Sequence, residues 1–189
     1  MKNIKITTFA LLALAAFTSC SDDDNPQIYI PVNEEEVITT VTTTLTNGGT
    51  TITLTSRDLD GDGPDDPVVT VSGPLAANTT YTGTVSFLNE LDSPAEDITM
   101  EVEEEGTEHQ IFFQAPAILG DFTYTDTDAN GKPVGLTFTY TTGNAATGEL
   151  IVSLVHEPNK DGAGVADGDI TNAGGATDAQ VVYPIEIME

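Results

Sequence analysis

The sequence predicts an all-β fold, an immunoglobulin-like β-sandwich of about nine strands with one short helix. Three observations carry that reading. Threonine is abundant and alternates with Ile, Leu and Val, the composition of strands with one wet face. Gly, Pro and Asn/Asp turn signals fall at short intervals between those stretches. The stretches follow one another as strand after strand rather than as alternating β and α units.

The chain opens with Lys2 and Lys5, then an apolar run ending at Phe17 and small residues at Thr18 and Ser19 before Cys20. This is the layout of a secretory signal, expected over 1–19. Cys20 is the chain's single cysteine, so it has no internal disulfide partner. The arrangement resembles a lipoprotein signal box, with Phe17 where an aliphatic residue is usual. That resemblance implies lipidation of Cys20 and cleavage before it. Residues 20–33, with Asp22, Asp23, Asp24, Pro26 and Pro31, read as an acidic, proline-containing tether, and 34–189 as the folded domain. The acidic run also looks like the export tag that follows the cysteine in Bacteroidota surface lipoproteins. By that likeness the protein is anchored by lipid in the outer membrane and exposed at the surface.

Strands are expected at 36–46 (EVITTVTTTLT) and 50–56, joined by a tight turn at Asn47-Gly48-Gly49. An acidic loop, 57–67, leads to strands at 68–72 and 79–88. In the latter, Tyr81, Gly83, Val85 and Phe87 share a face. Ser93-Pro94-Ala95-Glu96 then has a hydroxyl at N-cap, proline at the first helical position and glutamate at N3. Ile98 and Val102 fall four apart and Gly106 offers a stop, so a short helix is expected, a strand through 98–102 being the alternative. Strands at 108–114, 122–127, 134–141, 148–156 and 179–188 complete the series. The glycine-rich stretch 161–177 has no periodicity and reads as a mobile loop between the last two.

Charge limits the partners. The chain carries 31 acidic residues against 5 basic ones, and only Arg57, Lys132 and Lys160 remain once Lys2 and Lys5 leave with the signal. Nucleic acid and anionic membrane surfaces would be repelled, and cations are favoured. A salt-adapted, soluble surface explains the same composition. Beyond the signal, no apolar run approaches the ~20 residues needed to span a bilayer, so the expected membrane contact is through the lipid.

Three groups of residues have the chemistry of a site. Asp58, Asp60 and Asp62, with Gly61, Gly63 and then Asp66, let a loop wrap oxygens around a hard cation in the spacing of an EF-hand. Val69 stands where the bidentate glutamate belongs and the flanks are strands, so the expectation is either calcium in a different framework or a solvated acidic turn. Asp126, Asp128 and Asn130 repeat the spacing, although Asn130-Gly131 is good hairpin chemistry by itself. Asp161, Asp167, Asp169 and Asn172 are weaker still.

His109 shares a strand face with Ile111 and Phe113, and His156 shares one with Leu150, Val152 and Leu154. One opens its strand and the other closes its own, so antiparallel neighbours would bring both imidazoles to one end of the sandwich. Such a pair, with Glu157, could ligate zinc or copper or clamp a haem. The plainer reading is that each is a hydrogen-bonded rim residue, since two ligands fall short of the usual three or four. No nucleophile elbow, phosphate loop or metalloprotease helix is present in the sequence, and Cys20 is committed to the anchor, so no enzyme is expected.

EEEVITTVTTTLT, the DLDGDG loop, LAANTTYTG, EDITMEVEEEGTEHQIFF, LVHEPNK and DGDITNAGGATD together resemble a flavobacterial-type (Bacteroidota) surface lipoprotein family of unassigned function. Its members are often filed under the name "type 1 periplasmic binding fold". That name implies an alternating α/β protein, which the strand-dominated pattern contradicts. The expected function is a non-catalytic binding or accessory module, with an outer-membrane uptake receptor as the possible partner. The alternatives are metal or haem capture by the histidine pair, and a structural or adhesive envelope protein stabilised by calcium.

Overall fold

The computed structural model describes residues 36–61 and 63–189. The signal expected over 1–19, Cys20, the tether expected over 20–33 and Asp62 lie outside them.

β1 (Thr40–Asn47) and β2 (Thr50–Arg57) form a hairpin in register from Thr40↔Arg57 to Asn47↔Thr50. The turn needs two left-handed residues, and Gly48 (φ 55°) and Gly49 (φ 88°) supply them without a Cβ clash. β3 (Val68–Val71) extends this sheet beyond β2, and β5 (Thr80–Asn89) pairs with β1 on the other side. β8 (Gly120–Tyr124) and β9 (Thr137–Thr142) complete the order β3-β2-β1-β5-β9-β8, with β6 (Glu96–Asp97) added at the end of β5. The second sheet runs β4 (Leu75–Ala76), β11 (Ala176–Met188), β10 (Ala146–His156), β7 (His109–Gln114). Every pairing is antiparallel except β4 with β11.

The two sheets share one core, which makes the fold a mostly-β, two-sheet body. Leu45, Leu54, Tyr81, Val85, Phe87, Phe138 and Tyr140 of the first sheet pack with Ile111, Phe113, Leu150, Val152, Leu154, Tyr183 and Ile185 of the second. Tyr81, Gly83, Val85 and Phe87 do share the buried face of β5. Eleven strands are present among the described residues, against the nine expected, because two-residue strands such as β4 and β6 are too short to show a period.

The helix forms, but it starts later than the sequence suggests. α1 covers Ile98–Glu104, and Asp97, not Ser93, caps it by accepting from Thr99 N (3.1 Å). The reason is tertiary: Glu96 and Asp97 pair with Asn89 and Leu88, so the chain stays extended through the apparent capping box. Ile98 and Val102 are the buried residues of α1, and Thr99 Oγ1 donates to Phe87 O while accepting from Phe87 N.

The glycine-rich stretch is a packed cover rather than a bare loop. It carries 3-10 turns at Val165–Asp167 and Ile170–Asn172. Val165 and Ala173 are buried with Phe112 and Val155 in a second small core on the outer face of β7 and β10. Gln110 Nε2 donates to Val165 O (2.8 Å) and fastens the cover to β7. β7 is thus covered on both faces, which is why five of its six residues are buried.

Candidate metal centre

His109 is the first residue of β7 and His156 the last of β10, and they stand opposite each other in the register. Both side chains project from the core face, as parity requires. Their rings stack with centroids 4.6 Å apart and planes inclined by 24°. His109 is fully buried and His156 nearly so. The expected meeting of the two imidazoles at one end of the fold is therefore what the strands produce.

The protonation of His109 follows from its neighbour. Nδ1 lies 3.3 Å from Glu105 O at the C-terminal end of α1. A carbonyl oxygen only accepts, so Nδ1 carries the proton and Nε2 presents a lone pair. Glu105 O also accepts from Glu108 N (2.7 Å), so one carbonyl serves both the turn after α1 and the ring. Burial holds His109 below its ordinary pKa, with His156 adding to the effect, while the Glu105 carbonyl, Asp178 and Glu108 oppose it. His109 is neutral at pH 7 on that account.

Sequence parity missed a third residue at this place. Along β11, Ala179, Val181, Tyr183, Ile185 and Ile187 point to the core, so simple alternation would put Asp178 on the outer face. The register between β10 and β11 shifts between Leu154 and Val155, whose partners are Ala179 and Thr177. Asp178 is the extra residue of that bulge. Bulges re-aim side chains, and the Asp178 carboxylate comes to 3.7 Å from His109 Nε2 with its side chain 1% exposed. One ligand atom each from His109, His156 and Asp178 lies within 4.8 Å of the others. The local signal that could have found Asp178 is a carboxylate placed just after Gly174-Gly175, where a strand begins irregularly.

Two further clusters adjoin the centre. Glu108, His156 and Glu157 form one, with His156 Nε2 3.8 Å from Glu108 Oε2 and both glutamates exposed. Glu36, Glu101 and Glu105 form the other. Glu36 is raised to about 7 by burial first, then by Glu101, Glu105 and Asp178.

The two acidic loops direct carboxylate oxygens to their own backbone amides. In the first, Asp58 Oδ1 accepts from Asp60 N (3.2 Å) and Gly61 N (3.0 Å), and Asp60 Oδ2 accepts from Asp65 N (3.2 Å). Asp66 is exposed beside them, and Asp62 lies outside the described residues. In the second, Asp126 accepts from Gly135 N and Thr137 N, while Asp128 accepts from Asn130 N and Lys132 N. Lys160 Nζ then donates to Asp128 Oδ2, Pro133 O and Gly106 O, so Asp128 has a basic partner from the chain itself. Asn130 contributes its backbone N–H to this turn. Asp169 caps the 3-10 turn after it through Thr171 N, and Asn172 Nδ2 donates to Ala163 O. Asp161 pairs with Lys132, and Asp167 lies beside Phe122 and Tyr124 on the wall of a surface groove.

No family model matches the chain, and no curated protein or solved structure matches it.

Proposed function

We propose that the protein is a lipid-anchored, non-catalytic binding module of the outer membrane, displayed at the cell surface, and that it captures a transition-metal ion through His109 and His156. The observation that carries the reading is the stacked, buried imidazole pair, with one ring oriented by a backbone carbonyl so that its other nitrogen offers a lone pair. Two sheets over one core, antiparallel in every pairing but β4 with β11, support the finer description of the scaffold as immunoglobulin-like. Anchoring at Cys20 and an outer-membrane uptake receptor as partner complete the proposal, on the strength of the signal-like leader and the acidic tether.

Within this reading a small ion fits better than a haem. A haem clamped by two histidines needs both rings to point at the iron from opposite sides of the porphyrin. Here the rings lie face to face at 4.6 Å, and His109 is fully buried. Calcium is also a poor match for this pair, because hard cations take oxygen ligands.

The test is titration of the detergent-solubilised full chain, stripped with chelator, with zinc(II), copper(II) and haem, followed by calorimetry and absorbance. Uptake of zinc or copper that is lost when both histidines are replaced by phenylalanine is the expected result. No response to either metal by the native chain overturns the reading.

A further inference from the structure

We propose that Asp178 is the third protein ligand of the ion, so that His109, His156 and Asp178 make an N2O site for a borderline divalent ion of the zinc class. This rests on the metal-capture reading above.

Geometry is the first argument. With metal–ligand bonds of about 2.1 Å, tetrahedral ligand atoms lie about 3.4 Å apart. His109 Nε2 and Asp178 Oδ2 are 3.7 Å apart, and all three ligand atoms fall within 4.8 Å of one another. Closing around an ion brings them to bonding distance once the two stacked rings turn their in-plane lone pairs toward it.

The second argument is what 3.7 Å excludes. A charged imidazolium–carboxylate hydrogen bond closes to about 2.8 Å. His109 and Asp178 stop well short of that. His109 Nε2 is buried and makes no hydrogen bond among the described residues. Leaving such an atom unsatisfied is costly, and an ion between the nitrogen and the carboxylate removes the deficit.

The third is the bulge. An ordinary β10–β11 ladder would have kept Asp178 on the outer face. The register shift at Leu154/Val155 turns it inward at the one level of the sheet where two histidines already meet.

Donor chemistry sets the ion. Two imidazoles and one carboxylate suit zinc(II) or copper(II), whereas calcium and magnesium want an all-oxygen shell and copper(I) wants sulfur. Three protein ligands leave one position of a tetrahedron open, the pattern of an exchangeable rather than a purely structural site.

Cobalt(II) is the probe, because its visible bands report the ligand set. In the full chain it should give the absorption of a four- or five-coordinate nitrogen/oxygen site. Asp178→Asn should shift those bands, and Asp178→Ala should weaken zinc binding at least about 100-fold. If Asp178→Ala does not fold, the cobalt spectrum of the near-isosteric Asp178→Asn decides. Should the native chain bind cobalt and zinc while both variants keep its spectrum and affinity, Asp178 is not a ligand and the histidine reading survives. If the native chain binds neither metal, both fail together.

Discussion

Lys160 Nζ lies 2.9 Å from Asp128 Oδ2, with both side chains more than nine-tenths buried, inside the loop whose acidic spacing resembles a calcium motif. The ammonium also donates to Gly106 O and Pro133 O, so its three protons are spent on three oxygens from two loops. Burial lowers its pKa, and the hydrogen bond and charge of Asp128 oppose the shift.

Replacing Lys160 should therefore be costly. Lys160→Ala leaves Asp128 buried without its counter-charge and two carbonyls without a donor. Breaking a buried pair from one side costs about 3–5 kcal/mol. For a chain of this size that is a fall in Tm of roughly 10 °C. Thermal melting of the variant checks it, and a loss below about 1 kcal/mol would mean that solvent reaches the site.

Glu36 makes stability depend on pH. Its carboxyl has an ordinary pKa of 4.5 and is held up to about 7 in the fold, by burial first and then by Glu101, Glu105 and Asp178. Between those values the folded chain keeps a proton that the unfolded chain has released. Stability from this group is full below pH 4.5 and is lost as pH rises through 7. Glu36 is partly open to water, so screening reduces the effect to the order of 1 kcal/mol. Denaturation of the chelator-treated protein at pH 5 and pH 8 should show a drop that Glu36→Gln largely abolishes. An unchanged difference in the variant would assign it to another group.

What was legible in the residues was local. Period-two alternation placed the long strands, and Asn47-Gly48-Gly49 placed the first hairpin, because side-chain direction and turn conformation depend on near neighbours alone. The same parity put His109 and His156 on the core face. What could not be read depended on distant pairing. Ser93-Pro94-Ala95-Glu96 has every mark of a helix start, yet pairing of Glu96 and Asp97 with β5 delays α1 to Ile98. Asp178 was invisible because one bulge reverses the parity of everything before it on β11. Val165 and Ala173 lie in a glycine-rich stretch with no period, and only the face they cover makes them core residues.

Gly83 tests how tightly the core face of the first sheet is packed. It lies opposite Phe138 across β5 and β9, and a Cβ there would fall 2.2 Å from Phe138 Cζ. Phe138 is fully buried and packs 4.2 Å from Phe113, so the ring has nowhere to withdraw. Alanine would reduce unfolded-state entropy, a gain of about 0.4–1 kcal/mol. Overpacking costs about 1–3 kcal/mol and outweighs it. Gly83→Ala should lower the denaturation midpoint, and pairing it with Phe138→Leu should recover part of the loss. A neutral Gly83→Ala would show that the β5–β9 face is looser than its contacts imply.

Metal binding should also be visible as stability, because the ligands are assembled only in the fold. β7, β10 and β11 bring His109, His156 and Asp178 together from residues far apart in the chain, so the unfolded chain offers no equivalent site. An ion that binds only the folded state adds about 2.7 kcal/mol at one hundred times its dissociation constant. That corresponds to a rise in Tm of roughly 5–10 °C. Zinc should produce the rise and excess chelator should reverse it. Calcium at the same concentration should leave this site unaffected, since two of its three donors are imidazole nitrogens. A double His109→Phe, His156→Phe variant should melt at the same temperature with and without zinc. If that variant still gains stability from zinc, the ion is held elsewhere, and the acidic surface is the place to look.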